Sequence, residues 1–222
     1  MRTKIYLACT EPLKDEEVFQ TLYDRASKER KAKIDRYRFQ KDKMLSLGAD
    51  ALLRHALQEA GYAVEEMTLD YGGHGKPYLP GAEEFHFNLA HSGEYVMLAV
   101  SDAEIGCDIE RIRPVELKLP KHAYHPLEYE HIAACTEEER NELFFRYWVL
   151  KESFIKALGM GLSFGMSSFR ILLEDPVRVL AADGPLDYGF YEGADISGYR
   201  YAACRAGGLE EVKTEIVDLH NC

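Results

Sequence analysis

The feature that most limits what this chain can become is a pair of acids inside an apolar segment. Asp108 and Glu110 stand two residues apart among Ile105, Ile109 and Ile112. In a strand, side chains two apart share a face, so both carboxylates point the same way. A third acid, Glu152, falls in Trp148-Val149-Leu150-Lys151-Glu152-Ser153-Phe154-Ile155-Lys156, which reads as part of a long helix. Three carboxylates that can converge, with Lys151 and Lys156 beside them, suit a hard cation and a phosphate ester. The plainer reading is a solvated edge strand and a surface helix carrying an i,i+4 Glu152–Lys156 pair.

Composition narrows the class. A chain of 222 residues, 46% hydrophobic and 29% charged, has room for one sizeable core or two small α/β lobes that share one. No uncharged apolar run reaches the roughly 18 residues that a membrane span needs, so no membrane partner is expected. The opening Met1-Arg2-Thr3-Lys4-Ile5-Tyr6-Leu7 is too brief for the apolar core of a signal peptide, and a cytoplasmic location is expected. Five scattered cysteines with no Cys-x-x-Cys argue against a disulfide framework and a zinc site. The net charge of −11 argues against a nucleic-acid partner. That charge is uneven: from Arg25 to Lys43, nine basic residues face three acids, a local +6, leaving −17 elsewhere. Such a strip suits a compact anionic ligand, or else a solvated basic helix face.

In chain order, residues 3–10 read as a strand, 15–26 as a helix with acids in its first turn, and 42–60 as an amphipathic helix. Tyr71-Gly72-Gly73-His74-Gly75-Lys76-Pro77-Tyr78 is a glycine-rich loop. It is not a phosphate-binding loop of the Walker type, because proline follows the lysine where Ser or Thr would hold magnesium. Residues 85–89, 95–100 and 105–112 read as strands, with His91-Ser92-Gly93 turning the first into the second. The short connections predict an antiparallel meander of these three. Residues 113–135, with three prolines, read as irregular. Thr136-Glu137-Glu138-Glu139 has capping-box spacing and opens a helix with the stripe Leu143, Tyr147, Leu150, Phe154 and Leu158, closed by Gly159. Strands are expected at 163–173, 177–180 and 200–204. The helix-plus-strands pattern divides the chain into residues 1–104 and 105–222, with no sequence repeat and no long linker.

Four ordered motifs now carry a resemblance: Gly75-Lys76-Pro77, Phe87-Asn88-Leu89-Ala90-His91-Ser92-Gly93, Gly106-Cys107-Asp108-Ile109-Glu110 and Trp148-x-x-Lys151-Glu152-Ser153. They resemble the 4′-phosphopantetheinyl transferases of the larger, monomeric Sfp type. The resemblance implies an α+β fold of two similar α/β lobes related by a pseudo-twofold, each a helix packed on a mainly antiparallel sheet. It places coenzyme A between an N-terminal lobe (1–104) and a C-terminal lobe (105–222) that carries the metal. It further implies transfer of the phosphopantetheine arm of coenzyme A to a serine of an acyl or peptidyl carrier protein, with release of adenosine 3′,5′-bisphosphate.

By the same resemblance Asp108, Glu110 and Glu152 ligate Mg2+, and Lys156 and Lys151 neutralise phosphate. The proton acceptor is left among Glu152, Glu128 and a metal-bound water. Arg30 and Lys33 fall near the 3′-phosphate, and Ser46, Lys76, Ala90 and His91 line the adenosine and pyrophosphate. Leu45, Ala90 and Met160 depart from the residues usual in the family. Two other readings stand beside this one: a non-catalytic coenzyme-A-binding or carrier-docking protein, and a magnesium-dependent hydrolase of small phosphoanhydrides. For the carrier, the expected docking surface is the segment 115–135, with Val115, Leu117, Leu119, Tyr124 and Tyr129 beside Lys118 and Lys121.

Overall fold

A computed structural model describes residues 3–64, 68–115, 123–161, 164–209 and 211–222. Two sheets organise it, and the same succession of elements builds each. In the first half, strand β1 (Thr3–Cys9) leads through helices α1 (Glu16–Arg25), α2 (Lys28–Arg36) and α3 (Gln40–Glu59). A two-stranded ribbon, β2 (Asp70–Tyr71) with β3 (Pro77–Tyr78), precedes the hairpin β4 (His86–Ser92) and β5 (Tyr95–Ser101). Strand β5 pairs antiparallel with β1, giving the order β1-β5-β4.

The second half repeats this topology. Strand β6 (Ile105–Arg111) is followed by α4 (Pro126–Ala134) and α5 (Glu137–Leu158). A small sheet of β7 (Arg170–Leu172), β8 (Arg178–Ala181) and β9 (Gly184–Leu186) intervenes before the hairpin β10 (Tyr188–Gly193) and β11 (Tyr199–Ala206). Strand β11 pairs antiparallel with β6, giving β6-β11-β10. The architecture is therefore α+β, two similar lobes with a long helix on a mainly antiparallel sheet.

Three apolar layers hold these parts. On β1, Tyr6 and Ala8 face α3, where Leu52, Leu53 and Ala56 meet them. Ile5 and Leu7 alternate to the other face and pack with Met97 and Ala99 against Ile105, Cys107, Ile109 and Tyr201 of the second sheet. Behind that sheet, Leu150, Phe154 and Ala157 of α5 cover Ala202 and Cys204. The helices start and stop where their sequence directs. The Asp15 carboxylate accepts from the Glu17 and Val18 amides, and Ser27 caps α2 through the Arg30 amide. Thr136 and Glu139 form the capping box of α5, which ends at Gly159 with φ 70°. No helix among the described residues is long and apolar enough to cross a membrane.

Four expectations are corrected. The three-stranded meander does not form, because β1 and β4 occupy both edges of β5 and β6 crosses to the other sheet. The segment 113–135 is not irregular throughout: Pro126 is the first residue of α4, where its missing N–H costs nothing. The expected strand at 163–173 narrows to β7 after a 3-10 turn at Met166–Ser168, and its first residue lies outside the described ones. Finally, residues 105–222 do not stay within one lobe. Strand β12 (Val212–Ile216) adds in parallel to β1, and Val217 and Leu219 enter the core of the first half.

Candidate active site

Strand β6 and helix α5 make the centre of the site, and Gly106 decides how closely they meet. A Cβ on Gly106 would lie 2.1 Å from the Ser153 carbonyl oxygen and 2.2 Å from the Ala157 nitrogen. Only a bare α-carbon lets the strand press against the helix backbone there. Residues 106, 108 and 110 share that face, so Asp108 is brought to the helix as well. Gly106→Ala is expected to destabilise the protein by about 3 kcal/mol, since neither backbone can give way without wider repacking. A urea midpoint unchanged from wild type would show that the contact relaxes freely.

Lys156, one helical turn beyond Glu152, donates to Asp108 Oδ1 at 2.6 Å and to the Cys107 carbonyl at 3.1 Å. Asp108 is only 6% exposed, and its other oxygen, Oδ2, is buried without a hydrogen-bond partner. Burial raises its pKa to about 7, with Glu152 and Glu110 adding to the effect and Lys156 opposing it. Burial also raises Glu152, with Glu110 adding and Lys156 opposing. For Lys156 burial pulls downward, but Asp108 and Glu152 among its neighbours outweigh it and hold the ammonium above its ordinary range. Glu110 accepts from Ser92 Oγ at 2.7 Å, and Arg113 lies 3.5 Å from the same carboxylate oxygen.

The three acids are neighbours but are not closed around one point. Among the described residues, the three side chains whose ligand atoms gather within 4.8 Å are His55, Glu59 and Glu215, and there Glu59 is tied to Lys4 and Tyr6. Asp108 turns one oxygen to Lys156 and Glu110 one to Ser92. The donor set still fits a small hard cation. It is oxygen only and carries the orphaned Asp108 Oδ2, which is the donor chemistry such a cation takes.

The first half adds a basic groove of about 290 Å³, lined by Arg30, Lys33, Tyr37, Ser46, Tyr71 and His91 among others. A second trough, of about 420 Å³, continues it past Arg30, Lys33, Leu69 and Tyr71. Arg30 is anchored by Asp50 at 2.9 Å, whereas Lys33 is exposed. Although its surface is exposed, the protein mass around the Lys33 ammonium, and then the Arg30 charge, lower its pKa. The Ser46 hydroxyl is buried at the groove wall without a partner. His91 keeps an exposed edge, yet the protein mass around it and then Lys156 lower its pKa.

Four of the expected coenzyme residues, Arg30, Lys33, Ser46 and His91, thus share one groove. Ala90 does not join them, because its side chain is buried between the two sheets. Gly75 and Pro77 line the groove, while Lys76 between them reaches to Glu104 and the Ile105 carbonyl.

Lys151 and Glu128 are brought together, but as a buried strut. Both side chains are 0% exposed and their charges meet at 2.8 Å. Lys151 also donates to the Phe169 carbonyl, and Glu128 accepts from the Ile171 and His125 amides. Glu128 is therefore committed and is no base for a substrate, and Lys151 has no free face for a phosphate. On the expected docking segment, Tyr124 is core, in contact with Phe144 and Trp148, and Tyr129 and Val115 are half-buried. Leu117, Lys118, Leu119 and Lys121 lie outside the described residues.

Sequence reasoning placed Asn88 and Ser92 in a motif without a role of their own and passed over Glu104, though all three join the halves. Ser92 bonds Glu110 and the Arg111 amide, and the Asn88 side chain accepts from the Cys107 amide at 2.9 Å. Ser92 reads in the sequence as part of a turn and of the Phe87–Gly93 motif; its place at the end of β4 puts it beside the strand of acids.

Comparison with known proteins gives the family of the chain. Residues 104–204 match the 4′-phosphopantetheinyl transferase superfamily, and residues 11–103 match the N-terminal region of a 4′-phosphopantetheinyl transferase family. The chain is 36% identical to the 4′-phosphopantetheinyl transferase psf-1 of Bacillus pumilus, over 78% of this chain and 76% of that one. It is 32% identical to the 4′-phosphopantetheinyl transferase Sfp of Bacillus subtilis strain 168, over 81% and 82%. The putative 4′-phosphopantetheinyl transferase slr0495 of Synechocystis is 35% identical over 64% of this chain and 60% of its own. The chain belongs to the 4′-phosphopantetheinyl transferase superfamily and is an enzyme of that activity.

Proposed function

We propose that the basic groove takes the nucleotide of coenzyme A and that transfer to a carrier-protein serine occurs where β6 meets α5. One observation carries this reading: the half-committed Asp108, one oxygen on Lys156 and the other buried and unpartnered. Asp108, Glu110 and Glu152 would hold magnesium, which when bound supplies positive charge to the pyrophosphate. Lys156 uses two of its three N–H groups on Cys107 and Asp108, and the third is left for a phosphate oxygen. His91, its pKa lowered, is neutral near pH 7 and donates one N–H to the same group.

The serine oxygen attacks the β-phosphorus and forms the new O–P bond. The bridging P–O bond breaks, and its electron pair leaves on the 5′-phosphate of adenosine 3′,5′-bisphosphate. Glu152 takes the serine proton, since Glu128, the other candidate side chain, is committed to Lys151. Groove and acids lie within one chain, which supports a monomer as the working form. The test is incubation with coenzyme A, magnesium and an apo carrier, read by the mass of the carrier. Gain of a phosphopantetheine arm is expected. Coenzyme cleavage with an unmodified carrier would favour a hydrolase, and binding without either a silent docking protein.

The groove also predicts a ligand difference. Replacing Arg30 and Lys33 together with alanine should weaken coenzyme A several-fold while hardly changing dephospho-coenzyme A. The size follows from partly exposed charge contacts worth about 1 kcal/mol or less each. Titration calorimetry on both ligands checks it, and equal losses would move the 3′-phosphate elsewhere.

A further inference from the structure

Residue 104 stands at the seam between the two halves, and its side chain gathers what the seam must hold. Glu104 Oε2 accepts from Lys76 Nζ at 2.6 Å, and Oε1 lies 3.2 Å from His86 Nδ1. The backbone is fixed too: the Ala206 amide, at the end of β11, donates to the Glu104 carbonyl at 3.1 Å. The next residue, Ile105, opens the strand that carries Asp108, and its carbonyl takes a second N–H of Lys76 at 3.0 Å. Burial works to raise the Glu104 pKa, but Lys76 and His86 prevail and keep the carboxyl below its ordinary range.

The glycine-rich loop is the turn of the β2–β3 ribbon. Gly72, Gly73 and Gly75 carry no side chain, and Gly75 takes φ 80°. Besides backbone bonds across its own turn, from Gly72 to the Lys76 carbonyl and from Gly75 to the Gly72 carbonyl, the loop is tied to the second lobe through Lys76. An ammonium has three N–H donors. With one on Glu104 and one on Ile105, the third has a fixed direction, and Gly75 and Pro77 are held where they line the groove.

We infer that Glu104 is a positioning residue that acts through Lys76 to hold the glycine-rich loop where Gly75 and Pro77 shape the groove for the coenzyme. This rests on the reading that the groove binds coenzyme A. Glu104 touches no substrate; it acts through Lys76. Because the effect runs through orientation, a neutral acceptor suffices at position 104. Charge is not required there.

The experiment is a double-mutant cycle on the full chain, with steady-state constants measured for coenzyme A and for the apo carrier. Lys76→Ala should raise the KM for coenzyme A about tenfold, because the loop loses its charge-assisted ties to Glu104 and Ile105. Glu104→Ala should raise it by a similar or smaller factor, with kcat and the carrier KM within about twofold. Glu104→Gln should stay within about twofold of wild type on both constants. In the Lys76→Ala background, Glu104→Ala should change nothing further. Melting temperatures of all variants separate positioning from loss of fold, since a merely structural role would lower Tm without splitting KM from kcat. If Glu104→Ala adds its full effect in the Lys76→Ala background, or leaves KM unchanged in the wild type, the positioning role is overturned. If Lys76→Ala itself leaves the coenzyme KM unchanged, the tie through Lys76 does not shape the groove and the inference is overturned.

Discussion

Asp108→Asn should lower the transfer rate on the order of 10³-fold or more, the scale of losing one preorganised electrostatic group at a reacting centre. It should do so without cost to the fold. The Asn oxygen can still accept from Lys156, and its amide takes the place of an oxygen that is buried with no partner. Removing a charge that is 6% exposed and pressed by Glu110 and Glu152 relieves desolvation and repulsion together. Stability should therefore be equal or higher in urea, while magnesium titration loses its effect on the remaining rate. A variant within tenfold of wild-type rate would remove Asp108 from the metal site. One that unfolds would instead assign it a structural role.

The largest stability effect is expected at Lys151. Lys151→Met leaves the Glu128 carboxylate fully buried with two amide donors but no cation. Breaking one side of a buried pair costs about 3–5 kcal/mol, because the surviving charge stays desolvated. Adding Glu128→Gln should return part of that loss: the amide carries no charge and still accepts from the Ile171 N–H. Glu128→Leu should not, as it would orphan the His125 and Ile171 amides. The measurement is urea unfolding of the single and double variants, with coenzyme affinity taken well below the melting temperature. Normal stability with weakened coenzyme binding would restore Lys151 to the phosphate and contradict the strut.

That outcome also marks where sequence reading stopped. Lys151 was legible as buried, in hindsight, from its position alone. It lies four residues after Tyr147 and three before Phe154, inside the apolar stripe of α5 rather than beside Glu152. What could not be read was its partner, since Glu128 is 23 residues away and arrives through the fold. Local signals performed well elsewhere. Asp15, Thr136 with Glu139, and Gly159 placed helix ends because capping is decided within a few residues. Pro126 misled because proline both breaks and begins helices. The strand of acids and the helix of Glu152 were visible in spacing. Which strand β6 pairs with was not, because two free edges a hundred residues apart compete for it. Strand β12, exposed along most of its length and apolar only at its ends, gave almost no pattern to detect.

That last strand has a consequence for how the protein comes off the ribosome. Synthesis runs from β1 onward, yet the outer edge of β1 receives its partner only when Val212–Ile216 appears. A nascent chain that has released both lobes' helices still presents an unpaired strand edge and lacks Val217 and Leu219 beneath its first core. Unpaired edges recruit other strands, so this is the interval in which the chain is most open to self-association. The first lobe to be made is the last to be finished.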